Sequence, residues 1–166
     1  MAATYEPIAT TTLGSNAASI SFTSISGSYT DLVLVSTAKV SIAEYLRLQV
    51  GNGSVDTGSN YSATVLAGNG SSALSYRYSN ITNMPIHIQS ALSTTEYNIT
   101  ITQLENYSNT TTYKTVINRS GLAASSTEAS VSLWRSTSAI NTIKVYVENQ
   151  NLASGSTFTL YGILAA

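Results

Sequence analysis

Five consecutive residues, Leu46-Arg47-Leu48-Gln49-Val50, alternate apolar with polar side chains. That period of two most narrows the folds open to the chain, because it fits a strand with one dry and one wet face and does not fit a helix. Gly51-Asn52-Gly53 and Asp56-Thr57-Gly58-Ser59-Asn60 then supply residues that tolerate positive φ or close local side-chain turns. A second apolar run, Tyr61 to Leu66, ends at Gly68-Asn69-Gly70. Strand, loop, strand, turn: the rest of the chain repeats this grammar.

Further strands are predicted at Ile8–Leu13, Ile20–Ile25, Leu32–Val35, Leu74–Tyr78 (a short edge strand), Ile86–Gln89 and Tyr97–Thr102. Others fall at Tyr113–Asn118, Val131–Arg135, Ile143–Val147 and Phe158–Ile163. Leu32-Val33-Leu34-Val35 is apolar on both sides, as in a central strand covered twice or with one face given to a partner. Ala2–Ala9 and Ile42–Leu48 are the only stretches where a helical turn is entertained, and neither sustains a 3.6-residue period. The expectation is an all-β, single-domain antiparallel β-sandwich over residues 1–166, jelly-roll-like, with about ten strands. Its C-terminus should be tied into a sheet or an interface.

Composition decides between this and disorder. Charged residues are only 9% of the 166, against roughly 25% in ordinary domains, and Ser plus Thr supply roughly three residues in ten. Apolar residues nevertheless make up 43%, enough for a core. The net charge of −1 and the scattered Lys and Arg give no positive field for nucleic acid. No apolar run approaches membrane-spanning length. With no cysteine there is no disulfide framework. The N-terminus lacks the basic start and apolar core of a signal peptide, so synthesis and release in the cytoplasm of the producing cell are expected. Scarce charge also means little self-repulsion, which suits life inside an assembly. The 11 Tyr against 2 Phe fit half-buried seams and interfaces as well as ordinary strand preference.

Candidate chemistry is thin. Asp56-Thr57-Gly58-Ser59 matches the catalytic tetrapeptide of aspartic proteases, whose mechanism needs two carboxylates sharing a proton. The only other Asp, Asp31, is followed by Leu32 and Val33, so a turn is the better reading. Asp56, Ser59 and Asn60 offer one carboxylate to a cation, too few for a strong site. His87, the sole histidine, falls opposite Ile86 and Ile88 by alternation and reads as a surface or interface residue, with no second ligand for a metal. The six glutamates are dispersed, and nothing nominates a pair. Trp134 lies on the side of its strand opposite Val131 and Leu133, either exposed for stacking and anchoring or buried at a sandwich rim. Asn-x-Ser/Thr triplets arise from composition, and none is read as glycosylated. No enzyme activity, cofactor or metal is expected.

Four segments occur in order: Tyr29-Thr30-Asp31-Leu32-Val33-Leu34, Thr57-Gly58-Ser59-Asn60-Tyr61-Ser62, Gly68-Asn69-Gly70-Ser71-Ser72 and Phe158-Thr159-Leu160-Tyr161-Gly162-Ile163. Together they resemble small β-rich virion structural proteins of tailed bacteriophages, especially phages of cyanobacteria and other aquatic bacteria. The resemblance brings no catalytic residues. It implies a capsid decoration or cement protein on the outer surface of the head, with the major capsid protein and copies of itself, as a homotrimer, for partners. The alternative it leaves open is a tail-fibre or other tail-associated component that binds a host-surface glycan. The loops Asn52–Asn60 and Asn106–Thr112, the Tyr-rich faces and the N-terminal segment are the expected contact elements. Tyr5, Asn52, Asp56, Asn60, Tyr61, Tyr107 and Trp134 are the candidate interface residues.

Overall fold

A computed structural model describes residues 4–164. Thirteen strands lie along them: β1 (Tyr5–Thr12), β2 (Ser19–Phe22), β3 (Asp31–Ala38), β4 (Leu46–Asn52), β5 (Ser54–Val55), β6 (Tyr61–Gly68) and β7 (Ala73–Ile81), then β8 (Met84–His87), β9 (Asn98–Leu104), β10 (Lys114–Leu122), β11 (Ser126–Trp134), β12 (Thr142–Val147) and β13 (Thr157–Ile163). They form two antiparallel sheets, one of eight strands in the order β1-β13-β3-β9-β10-β11-β6-β7, the other β2-β12-β4-β5 with β8 also paired to β4. The sheets share one apolar core, so the architecture is sandwich-like.

The count exceeds the ten expected from sequence, partly because of the two-residue β5. No helix occurs among the described residues. Tyr5–Thr12 is a strand where a helical turn was entertained, and of Ala2–Ala9 the first two residues lie outside the described range. Leu46–Leu48 is likewise strand. Leu74–Tyr78 grows into the nine-residue edge strand β7. β13 sits between β1 and β3, so the end of the described chain is held inside a sheet.

Leu46, Leu48 and Val50 of β4, Ile143 and Val145 of β12, and Leu32, Leu34, Phe158 and Leu160 of the larger sheet are all buried. Gly53, at φ +76°, makes the tight reversal from β4 to β5. Gly162 lets the Tyr29 ring lie against β13, where any Cβ would collide with it.

A β-bulge decides the fate of His87. In the β4–β8 pairing Leu46 faces His87 while Arg47 faces Pro85, leaving Ile86 as the extra residue. The bulge turns both Ile86 and His87 inward, at 1% and 0% exposure. The surface position that simple alternation assigned to His87 is thereby overturned.

Candidate functional site

The middle strands of the larger sheet, β9, β10 and β11, alternate with a period of two, but in the opposite sense to the hydrophobic expectation. Most of their inward residues are polar, among them Thr100, Thr102, Asn118, Ser120, Glu128, Ser130 and Ser132, with Leu104, Val116 and Trp134 at the strand ends as the apolar ones. Their other aliphatic residues look out. Register aligns these into rows: Val33, Gln103, Ile117, Val131 and Thr64 form one, and Val35, Ile101, Arg119, Ala129 and Leu66 the next. Leu66 is 64% exposed, Ile99 and Val131 52% each, and Ile117 39%. Beside Arg119, where Gly121 has no side chain, Ile99, Ile101 and Leu122 border a shallow notch of about 330 Å³. The face presents exposed aliphatic side chains around one central guanidinium, the kind of apolar patch that marks interaction surfaces in other proteins.

Behind that face the polar residues close on one another. Glu128 accepts hydrogen bonds from the Ile88 and Gln89 amides (2.9 and 2.8 Å) and from Ser120 Oγ (2.8 Å). His87 Nδ1 lies 3.1 Å from Ser120 Oγ. Asn118 takes a bond from Thr102 and donates to the Ile86 carbonyl, both at 2.8 Å. Because Ser120 gives its proton to Glu128, its oxygen is free to receive Nδ1–H of a neutral His87. Nε2 is buried with no partner. A Ser-His-acid triad needs serine and acid on opposite ring nitrogens; here both meet the same one. The cluster fastens β8 to β10 and β11. Burial pushes His87 below the usual imidazole value, with Glu128 pulling the other way.

Four of the seven residues singled out from sequence, Asp56, Asn60, Tyr61 and Trp134, meet at one corner. Asp56 accepts from the Gly58 amide (2.8 Å), Asn60 Nδ2 (2.9 Å) and Trp134 Nε1 (2.8 Å). Burial alone would raise its carboxyl, but those three donors outweigh it and hold the pKa below the ordinary carboxylate value. The Tyr61 hydroxyl reaches the carbonyls of Val50 (3.0 Å) and Asp56 (2.8 Å). Asn52 donates to the Ala139 carbonyl at 2.9 Å. The protease-like tetrapeptide is thus an Asx-type turn locked against a tryptophan, its carboxylate ringed by donors where a cation would want oxygens.

The same geometry corrects three interface assignments. Tyr61 is 0%, Tyr107 0% and Trp134 3% exposed, so their rings belong to the core of the protomer. Tyr107 anchors its hydroxyl on the Ser26 carbonyl. Trp134 faces inward because Val131 and Leu133 face outward. Asn52 and Asn60 stay at the surface, and Tyr5, 53% exposed, stands apart on edge strand β1 against Tyr161. The Asn106–Thr112 loop is exposed at its tip and folded on Asn109, which accepts from the Thr111 and Thr112 amides (2.7 and 2.9 Å).

No protein-family model matches the chain, and no curated protein matches it in sequence. A protein of unknown function from Shewanella oneidensis MR-1 is a structural neighbour at a TM-score of 0.24, with 10% identity, over 98% of this chain and 71% of that one. A score that low carries nothing about fold or role.

Sequence reasoning missed the outward aliphatic rows and the Glu128 cluster for one reason. A period of two says that two faces differ, and it does not say which of them is the inner one. The available signal was Glu128 within Ser126-Thr-Glu-Ala-Ser130, a carboxylate at the same strand parity as Trp134.

Proposed function

We propose that the chain is a structural protein of a tailed-phage virion, a decoration or cement protein on the outside of the head that stabilises the lattice of the major capsid protein. The observation that carries this reading is the outward face of the larger sheet, where Leu66, Ile99, Ile117 and Val131 stand in water on one side of adjoining strands. Such a face is a liability for a free protomer and an asset for a tile. Covering it releases the water over those side chains, at roughly 25 cal/mol per Å² of apolar area. Arg119, in the midst of the aliphatics, calls for a carboxylate on the capsid side.

Whatever binds only the assembled shell favours that shell by mass action, so no catalytic group is needed. The copies are expected as a homotrimer, a closed symmetry suited to threefold positions on a shell. The jelly-roll reading of the sandwich belongs to the same proposal. In its favour, β3 pairs with β13 and β9, partners brought together by long connections as in Greek-key folds.

The test is immunogold labelling of virions. Label over the whole head is the expected result, together with heads that lose heat resistance when the protein is absent. Label confined to the tail would overturn the proposal and favour the tail-associated, glycan-binding alternative.

A further inference from the structure

On the other sheet, the outward row Tyr146, Arg47 and Pro85 runs towards edge strand β7. There it meets a cleft of about 320 Å³ walled by Tyr78, Asn83 and Glu148. The Arg47 side chain is 20% exposed, and its Nε is buried without a hydrogen-bond partner. Glu148 Oε1 lies 3.9 Å from that nitrogen, too far for a hydrogen bond. The Tyr45 ring sits 5.5 Å from the guanidinium carbon. A guanidinium and a carboxylate thus flank one cleft as a long ion pair with no hydrogen bond between them, among aromatic rings and an amide.

We infer that this cleft binds a neutral sugar ring through two adjacent hydroxyls that bridge Arg47 and Glu148. Each hydroxyl both donates and accepts, so one accepts from the Arg47 fork while its neighbour donates to Glu148. An anionic ligand would face Glu148, and an ammonium would face Arg47; a polyol satisfies both. Tyr78 and Pro85 supply apolar wall for the C–H side of the ring. The volume, at the small end for ligand pockets, suits one or two rings. This site lies on the sheet away from the proposed head-docking face, so it holds or fails independently of that reading. A head-bound copy would keep it open to solvent.

The experiment is a ¹H–¹⁵N NMR titration of the full chain with glucose, galactose and mannose, and with glucuronate and glucosamine as charged counterparts. At least one neutral hexose should shift the Asn83 and Tyr78 amides and the Arg47 Nε–H, with a Kd of about 1 mM. Arg47→Lys and Glu148→Gln should each weaken it about tenfold or more, the size of one charge-assisted hydrogen bond. Arg119→Gln, on the opposite sheet, should leave it unchanged. Glu148 is 45% exposed, so Glu148→Gln should fold normally and decide the matter if Arg47→Lys does not. No shift with any neutral hexose, shifts confined to other surfaces, or tighter binding of glucuronate or glucosamine would each overturn the inference.

Discussion

Under β3 and β13 the inward residues are Leu32, Leu34, Phe158 and Leu160; under β9, β10 and β11 they include Thr100, Thr102, Asn118, Ser120, Glu128 and Ser130. The first half of the larger sheet packs on the aliphatic rows of β4 and β12, where contact needs shape and no particular partner. The second half lies under β8 and is held by bonds whose donors and acceptors must all be matched. Most of its aliphatics are on the outside instead, Leu104 and Val116 excepted. Burying hydroxyls and a carboxylate while exposing isoleucine and valine gains the isolated protomer nothing, since each buried polar group only recovers what desolvation cost. That balance is what the proposed docking on a larger assembly would account for, since it would turn the outer face into an interior.

The sharpest way to break that contrast is to remove one member from each half. Glu128→Ala leaves the Ile88 and Gln89 amides and Ser120 without their acceptor. It should cost about 3 kcal/mol or more, at about 1–3 kcal/mol for each buried donor left unsatisfied. Leu34→Ala, on a residue of 0% exposure, should cost about 2–5 kcal/mol through transfer and cavity alone. Urea denaturation measures both. The halves differ in rescue: Leu34→Met should recover most of the loss, whereas Glu128→Gln, which sets an amide against backbone donors, should not. Equal rescue at both sites would dissolve the distinction.

This contrast also marks where the sequence stops being readable. Leu46-Arg47-Leu48-Gln49-Val50 gave its strand and its inner face together, because hydrophobic burial alone governs β4. Val131-Ser132-Leu133-Trp134 gave the strand but left its inner face open, because burial there is decided by long-range partners: Glu128 to β8, Trp134 to Asp56. The predicted strands stop at Asn118 and resume at Val131, although β10 runs on to Leu122 and β11 begins at Ser126. Gly, Ala and Ser imitate loop chemistry when their strand faces a polar interior. For His87 a one-residue bulge defeated the count. The candidate site fared similarly. Asp56 was legible as a turn, but its acceptor role towards Trp134 joins residues 78 apart in sequence, beyond any local pattern.

Asp56→Asn sharpens the comparison at the boundary between the two sheets. The amide keeps one acceptor oxygen but sets its NH₂ against a donor, at a cost of about 1–3 kcal/mol. Acid sensitivity gives an independent check. The folded carboxyl lies below its ordinary value, so its contribution is complete above about pH 3.9 and is lost as pH falls through the lower folded value. Acid titration followed by tryptophan fluorescence should show the variant losing part of that dependence, because Trp134 is the single Trp.

His87 should produce a gentler slope nearer neutrality. Its folded pKa is depressed by burial against the opposing pull of Glu128. Between that value and about 6.5 the unfolded chain binds more protons, so stability rises with pH and falls as acid is added below about 6.5. The slope cannot exceed about 1.4 kcal/mol per pH unit for one group. His87→Gln should flatten it in denaturation curves collected across this range. An unchanged slope would mean that the imidazole is solvated in the fold, contrary to its 0% exposure.

The smallest effect on the protomer is the most informative about the outer face. Ile117→Thr with Val131→Thr exchanges two neighbouring cross-strand aliphatics, 39% and 52% exposed, for a residue that strands accept readily. Each change should alter protomer stability by no more than about 0.5 kcal/mol, seen as a nearly unmoved thermal midpoint. On cosedimentation with purified heads stripped of the protein, the pair should bind at least tenfold more weakly, because the apolar area they contributed no longer leaves water there. The two readouts separate the possibilities cleanly. A large thermal loss would show these side chains packing inside the protomer, whereas an unmoved midpoint with undiminished head binding would leave the face without the partner proposed for it.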